Sequence, residues 1–388
     1  MTVTPPKARP RILHLHSTFD LGGKEARAVR LMNAFGDAYA HDIVSAVPSA
    51  VAAARQIDPG VDFRLLDGFP PLAGRLGPGK LSALGRAIGA GSYDLVLSYN
   101  WGAMDGVMAN RLFAGRPLVH HEDGFNDDEV DRQKPGRVLW RRLALPSASR
   151  LIVPSGVLER VALGIWRQPP ARVARIANGI DASRYAAMPA ADAIPGLVRR
   201  EGEVLVGTLA GLRKVKNLPR LVRGFAIAVR LAPVPARLVI VGDGPEREAI
   251  LAAAQAAGVA DRLHMPGFLA HPESYVGLFD VFALSSDSEQ FPLSLVEAMA
   301  AGLPAVATDV GDVRAIVADK NRPMVVRTDD DMAFGRTLAR MIGDPGLRRE
   351  LGAANRAKVA ADFDEAVMIA RYREIYEHAI AAGRQQGG

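Results

Sequence analysis

Cysteine is absent from the 388-residue chain, which excludes disulfides, thiolate nucleophiles and cysteine-ligated zinc. No apolar run approaches the length of a membrane span. The N-terminal MTVTPPKARPRILHLHS also lacks the apolar stretch of a secretory signal, so a cytoplasmic protein is expected. Aromatic residues make up only 6% of the chain, and no basic stripe interleaves with them. A nucleic-acid surface is therefore not expected, despite a formal charge of +6 and a sequence pI of about 9.7. Arginine carries most of the positive charge and is spread along the chain, while lysine is scarce. An anionic substrate, or peripheral contact with the anionic inner face of a cell membrane, is compatible with that balance. The remaining composition is that of a globular protein, 49% hydrophobic with a mean hydropathy of +0.06. The length suffices for two domains, each with its own core.

Short apolar runs alternate with longer helical patterns. Strands are expected at 11–17, 41–47, 63–67, 93–99, 117–121, 151–154 and 173–177 in the first half. The second half has them at 204–209, 237–241, 262–265, 281–285, 305–308 and 324–327. Most are apolar throughout rather than alternating, as parallel strands covered on both faces are. Alternation with helices implies right-handed βαβ units and an α/β fold of two doubly wound, Rossmann-like domains. The boundaries expected are a first domain at 1–182, a linker at 183–202 containing Pro189 and Pro195, and a second domain at 203–362. A final helix at 363–388, with Tyr372 and Tyr376 on one stripe, packs back on the first domain.

The segment from Asp287 to Asp309, DSEQFPLSLVEAMAAGLPAVATD, carries the strongest chemical signal. Pro292 suits a first helical position, where its missing N–H is no loss. Gly302 suits the C′ stop, with Pro304 beyond it. Glu297 lies beside the face that should be buried, where an unpartnered carboxylate is costly. Glu289 lies just before the helix, where free N–H groups favour an anion. A phosphate-bearing ligand flanked by two carboxylates accounts for the whole pattern. Three other loops follow strands, the place where open α/β sheets bind ligands. One is LGGKEARAV, with Gly22 and Gly23 opening a helix. Another is LAGLRKVKNLP, with Arg213, Lys214 and Lys216. The third, Gly242-Asp243-Gly244-Pro245, resembles a dinucleotide fingerprint but lacks its third glycine.

In this order, LGGKE, NGID at Asn178–Asp181, VGTLAGLRKVKNLPRLVRGF, VIVGDGP and SEQFPLSLVEAMAAGLPAVATDVG resemble the retaining glycosyltransferases of the GT-B fold in family 4 (glycosyl transferases group 1). The last motif is similar to that family's Glu-x7-Glu segment, and the likeness covers nearly the whole chain. It implies two Rossmann-like domains facing across a cleft, with a nucleotide-diphospho-sugar donor on the second and the acceptor on the first. It further implies that Glu297 holds the ribose hydroxyls and that Glu289 lies near the donor sugar. Amides around Phe291, Leu293 and Ser294 would meet the diphosphate, and Gly22, Gly23 and Gly242 are candidates for close backbone approach to the bound ligand. Lys216 matches the lysine that neutralises the leaving diphosphate. Two positions depart from the pattern. The arginine expected five residues before that lysine is Gly211 here, and Arg213 could reach the phosphate from a different backbone point. The histidine expected near the sugar falls within LVHHEDGF, where His120, His121 or Asp123 could take the place.

The resulting expectation is a hexosyltransferase that moves a sugar to a saccharide or lipid-linked acceptor, in assembly of a surface polysaccharide, lipopolysaccharide or glycolipid. Fixed cations and aligned amides would stabilise the departing diphosphate, with no metal and no resident cofactor. The acidic runs Asp127–Asp131 and Asp329–Asp331 do not follow strands at metal-site spacing and read as exposed loops or helix caps. No nucleophile for a covalent intermediate is evident, so same-face attack by the acceptor is favoured. Another GT-B enzyme, such as a nucleotide-sugar epimerase, and a non-catalytic two-lobed sugar-binding protein are the alternatives. PGRVLWRRLAL at 135–145 combines Arg137, Arg141 and Arg142 with leucines and a tryptophan, a pattern suited to lying on anionic lipid.

Overall fold

The computed structural model describes residues 9–20, 22–75, 77–125, 129, 132–232 and 234–386. The chain divides into two compact units, Met1–Ala177 with Val367–Gly388, and Asn178–Ala366.

Unit 1 contains seven strands: β1 Arg11–His16, β2 Ala40–Ser45, β3 Asp62–Leu65, β4 Leu95–Tyr99, β5 Leu118–His121, β6 Arg150–Val153 and β7 Val173–Arg175. All pair in parallel in the order β3-β2-β1-β4-β5-β6-β7. Alternate side chains of each strand enter opposite cores, as the two-residue strand period requires. Ile12, Leu95, Leu97 and Tyr99 face one side, and there the last helix, Glu365–Gln386, contributes Tyr372, Tyr376 and Ile380. Leu13, Leu15 and Val96 face the other, packed with Ile88, Val107 and Trp166. Both faces of the central strands are covered, so β4 and β5 are buried along their whole length, whereas the edge strand β3, DFRL, is largely exposed.

Unit 2 holds β8 Val204–Leu209, β9 Ala236–Val241, β10 Leu263–Gly267, β11 Val281–Leu284, β12 Ala305–Thr308 and β13 Val325–Val326. They are again all parallel, in the order β10-β9-β8-β11-β12-β13. Both sheets are doubly wound α/β, as expected. The helix Leu218–Leu231 turns Leu218, Leu221, Val222 and Phe225 into the core against Phe334 and Leu338 of the helix Asp331–Gly343. Burying each such side chain contributes about 1.5–3 kcal/mol.

The segment 183–202 differs from a free linker. Tyr185, Ile194 and Leu197 are buried, and the carbonyl of Pro195 accepts a hydrogen bond from His264 Nε2 at 2.9 Å. Its apolar residues anchor it within unit 2. The helix Pro135–Ala144 also departs from the membrane-surface pattern. Arg141 is fully buried, 3.2 Å from Glu122 and under the faces of Trp101 and Trp166. Arg137 pairs with Glu129 at 2.8 Å, and Arg142 donates to the carbonyl of Ile165. The acids and rings of unit 1 outcompete water for two of the three arginines, so the basic face meant for lipid is largely turned inward.

Candidate functional site

In each doubly wound sheet the strand order reverses at one point, and loops at the C-terminal ends of the two strands there part to leave a crevice. In unit 2 that point lies between β8 and β11. The loop after β8 carries Lys216 and the loop after β11 carries Glu289, and the two meet: Lys216 Nζ lies 2.5 Å from Glu289 Oε1. Ser286 Oγ donates to the same oxygen at 2.7 Å. The loops are sewn together beneath the pair. The amide of Asp287 donates to the Val215 carbonyl, Ser285 Oγ donates to the Lys216 carbonyl, and Arg220 donates to Asp287 and to the Ser285 carbonyl. Asn217, in the left-handed region at φ 42°, caps the next helix through the Arg220 amide and reaches Asp287 with its own amide group.

The helix beyond Glu289 runs Leu293–Ala300. Pro292 is its N-cap rather than its first residue, because its ψ of 104° is extended. The amides of Phe291, Leu293 and Ser294 have no acceptor among the described residues, so this helix start presents open donors and the positive end of its dipole. The other end closes as expected. Gly302, at φ 79°, donates to Met299, and Leu303 donates to Ala298 in a Schellman arrangement. Leu295, Val296 and Met299 are wholly buried and hold the helix in place. Glu297 is half-buried on this helix; the Tyr275 phenol is pushed up by burial and then by the charge of Glu297. Gly311, just past β12, fixes the loop from the other side. It has φ 53°, and a Cβ there would lie 2.1 Å from the carbonyl oxygen of Glu289.

Arg213 is exposed, and its Nε lies 3.9 Å from where a Cβ on Gly211 would be. Its side chain thus runs back past the position that lacks an arginine. Gly242 belongs to the packing of the β8 and β9 loops, its N–H donating to the carbonyl of Gly267 at 2.9 Å.

In unit 1, Gly22 is the N-cap of the helix Gly23–Phe35. Glu25 folds back over it, its carboxylate gripped by Lys24 and Thr18, so an internal carboxylate already sits at that helix start. His120 and His121 are buried. His121 uses both ring nitrogens internally, 3.2 Å from the Ser98 carbonyl and 2.9 Å from the Tyr376 hydroxyl. Burial, and then Arg27, lower its pKa to about 3, so it is a neutral core histidine. Asp123 is the partly accessible member of the three, held by both terminal nitrogens of Arg27, one at 2.8 Å. Burial pulls its carboxyl upward, but Arg27 prevails and holds it below its usual range. Among acids considered for a metal, Asp330 caps a helix, Asp329 pairs with Arg327, and Asp331 pairs with Arg220 and Arg223. Positions 127, 128, 130 and 131 lie outside the described residues.

The family model for Glycosyltransferase Family 4 matches residues 21–184, and that for Glycosyl transferases group 1 matches residues 192–358. The chain belongs to the group 1, family 4 glycosyltransferases. A D-inositol 3-phosphate glycosyltransferase of Kribbella flavida is 28% identical to this transferase over 393 residues, 91% of each chain. An N-acetyl-alpha-D-glucosaminyl L-malate synthase of Bacillus anthracis is 29% identical over 176 residues, 45% of this chain and 46% of that protein. The match thus spans about half the length of that relative. Among solved structures, Anabaena HepE in complex with UDP and glucose has a TM-score of 0.78 at 19% identity, covering 95% of this chain and 100% of that one. The fold of the transferase is therefore GT-B.

Several residues that shape its site carry no individual signal in the sequence. Asn217, Arg220 and Asp287 form the clasp between two loops, and only their neighbourhood to Lys216 and Glu289 pointed toward them. Gly311 closes the family-like run VATDVG, and a glycine directly after a strand is the trace it leaves.

Proposed function

We propose that the transferase moves a sugar from a nucleotide-diphospho-sugar to a saccharide or lipid-linked acceptor with retention at the anomeric carbon, in assembly of a surface polysaccharide or glycolipid. The observation that carries this reading is the Lys216–Glu289 pair at the crevice of unit 2, next to the open amides of Phe291, Leu293 and Ser294. In this reading the diphosphate lies on those amides, with Lys216 and Arg213 beside it, and Glu297 takes the ribose hydroxyls. As the glycosidic C–O bond breaks, its electron pair stays on the diphosphate, and the fixed cation and amides stabilise that charge. The acceptor oxygen attacks the same face, and its proton passes to the leaving phosphate oxygen. Lys216 and Arg213 thus do the work of charge neutralisation that a divalent ion performs in other sites. The solved complexes of HepE with UDP-glucose support a nucleotide-sugar donor.

Among the described residues no helix is long and apolar enough to cross a membrane. The test is a screen of UDP-, GDP- and ADP-sugars for thermal stabilisation and turnover, with the product's anomeric configuration read by NMR. Stabilisation by one nucleotide-sugar class and an α-linked product from an α-linked donor are expected. Absence of any nucleotide binding overturns the reading, and an inverted product overturns retention.

A further inference from the structure

Unit 1 contains a cavity of about 720 Å³ at the C-terminal edge of its sheet. Ser17 after β1, Val47 after β2 and Trp101 after β4 line it, facing Leu72, Asp105 and Trp140. The position is the crevice where sheets of this kind bind ligands, and the volume falls in the range of small-molecule sites. Its chemistry is lopsided. Two of the three tryptophans of the protein line the wall, among aliphatic side chains. Among the described residues, three charged side chains line it: Asp105 is paired with Lys80 at 2.6 Å, Arg137 is paired with Glu129 while lying over the Trp101 ring, and Lys134 is exposed. Such a site offers flat indole faces to the apolar side of a ring and few polar groups to fix its orientation.

The helix Pro135–Ala144 extends this character to the surface. Gly136, Arg137 and Trp140 face the cavity. At about 100° per residue, Leu139 and Leu143 fall on the adjoining stripe. They are 56% and 46% exposed, which leaves an apolar track at the cavity's flank, while Arg137 and Arg141 of the same helix are engaged inward.

We propose that this cavity binds the acceptor, and that the acceptor it selects is an amphiphile: its sugar ring lies against Trp101 and Trp140, and its apolar aglycone leaves along Leu139 and Leu143. This deepens the transferase reading and rests on it, for the identity of the ligand as acceptor. The aglycone could be an alkyl chain or an aryl ring; the cavity's chemistry suits both, and the track along Leu139 and Leu143 favours the chain.

The experiment uses the full chain without donor. Methyl, octyl and phenyl glycosides of glucose, galactose and mannose, below micelle-forming concentration, are titrated while tryptophan fluorescence is followed. The octyl glycoside of at least one sugar is expected to bind at least tenfold more tightly than its methyl counterpart, with the phenyl form between them. Trp140→Leu, which removes a face that holds the sugar ring, is expected to weaken the methyl and octyl forms alike. In the surface variants Leu139→Ser and Leu143→Ser, checked for folding by circular dichroism, the octyl advantage falls below threefold. Equal affinities for methyl and octyl forms, or an octyl advantage untouched by the substitutions at Leu139 and Leu143, overturn the proposal. A phenyl form that outbinds the octyl form overturns the alkyl track. Nucleotide binding, measured separately, keeps the two questions apart. A protein that binds a nucleotide-sugar yet ignores the octyl chain refutes only this inference, and one that binds no nucleotide refutes the donor reading.

Discussion

Lys216→Ala separates two effects that one ammonium group has in this site. Its Nζ lies 2.5 Å from Glu289 Oε1, and the two side chains are 17% and 10% exposed. Removing it leaves a largely buried carboxylate that keeps the hydrogen bond from the Ser286 hydroxyl but loses its cation, which costs stability on the order of 1–3 kcal/mol. A unit of this size then melts roughly 2–4 °C lower for each kcal/mol. In the proposed reaction, removing it also takes a cation from the departing diphosphate, worth about 3 kcal/mol of barrier or on the order of a hundredfold in kcat. Glu289→Gln relieves the first effect and not the second. In the double variant Lys216→Ala with Glu289→Gln, the melting temperature should therefore recover toward wild type while kcat stays at or below that of Lys216→Ala. Thermal melts and initial rates at saturating donor, for the wild type and the three variants, form a double-mutant cycle. A kcat within threefold of wild type in Lys216→Ala would show that the lysine does not face the leaving group. Melting temperatures that add independently would show that the pair is not coupled.

Glu297→Gln should weaken nucleotide binding about tenfold, close to 1.4 kcal/mol, by calorimetry with whichever nucleotide the donor screen identifies; unchanged affinity removes Glu297 from the site. Gly311→Ala places a methyl group against the Glu289 carbonyl at φ 53° and should cost about 1–3 kcal/mol, with a larger loss of kcat than Gly23→Ala, where a Cβ meets nothing. Equal effects of the two substitutions would sink that argument. On the proposed assignment of the neutralising charge to Lys216 and Arg213, chelation with EDTA should leave turnover within twofold; loss of activity restored by a divalent ion refutes it. Stability should also fall in acid. Burial keeps His41 and His121 neutral, with folded pKa values of about 4 and about 3, below an unfolded value of about 6.5. Between those limits the unfolded chain binds the extra protons. Each imidazole then removes about 1.4 kcal/mol per pH unit below about 6.5, and a melting temperature that stays flat from pH 7.5 to pH 5 contradicts this.

Much of the architecture was legible because parallel strands covered on both faces leave a simple trace. LVLSY and VLVGTL are apolar but for Ser98 and Thr208, and their boundaries in the structure lie within two residues of those expected. The helix after Glu289 was legible from its proline and its glycine, with an error of one residue at the start. What stayed hidden depends on partners distant along the chain. Arg141 looks like a surface residue until Glu122 and the aromatic rings around it are in place. His121 looks like a candidate ligand until Tyr376, 255 residues later, takes its second nitrogen. The 183–202 segment has the prolines of a linker, yet Ile194 and Leu197 suffice to anchor it. Local composition carries element type; it does not carry which polar groups find each other.

The contribution of the last helix to unit 1 has a consequence for how the protein is made. Tyr372, Tyr376 and Ile380 fill a face of a sheet whose first strand begins at Arg11, so that domain's interior is completed by residues synthesised after the whole of the second domain. The second domain is complete in sequence by Ala366. The usual order of co-translational folding, N-terminal domain first, is therefore reversed here. A nascent chain arrested once Ala366 has cleared the ribosome should already protect the second sheet from protease, while the first gains full resistance only after Ile380 has followed.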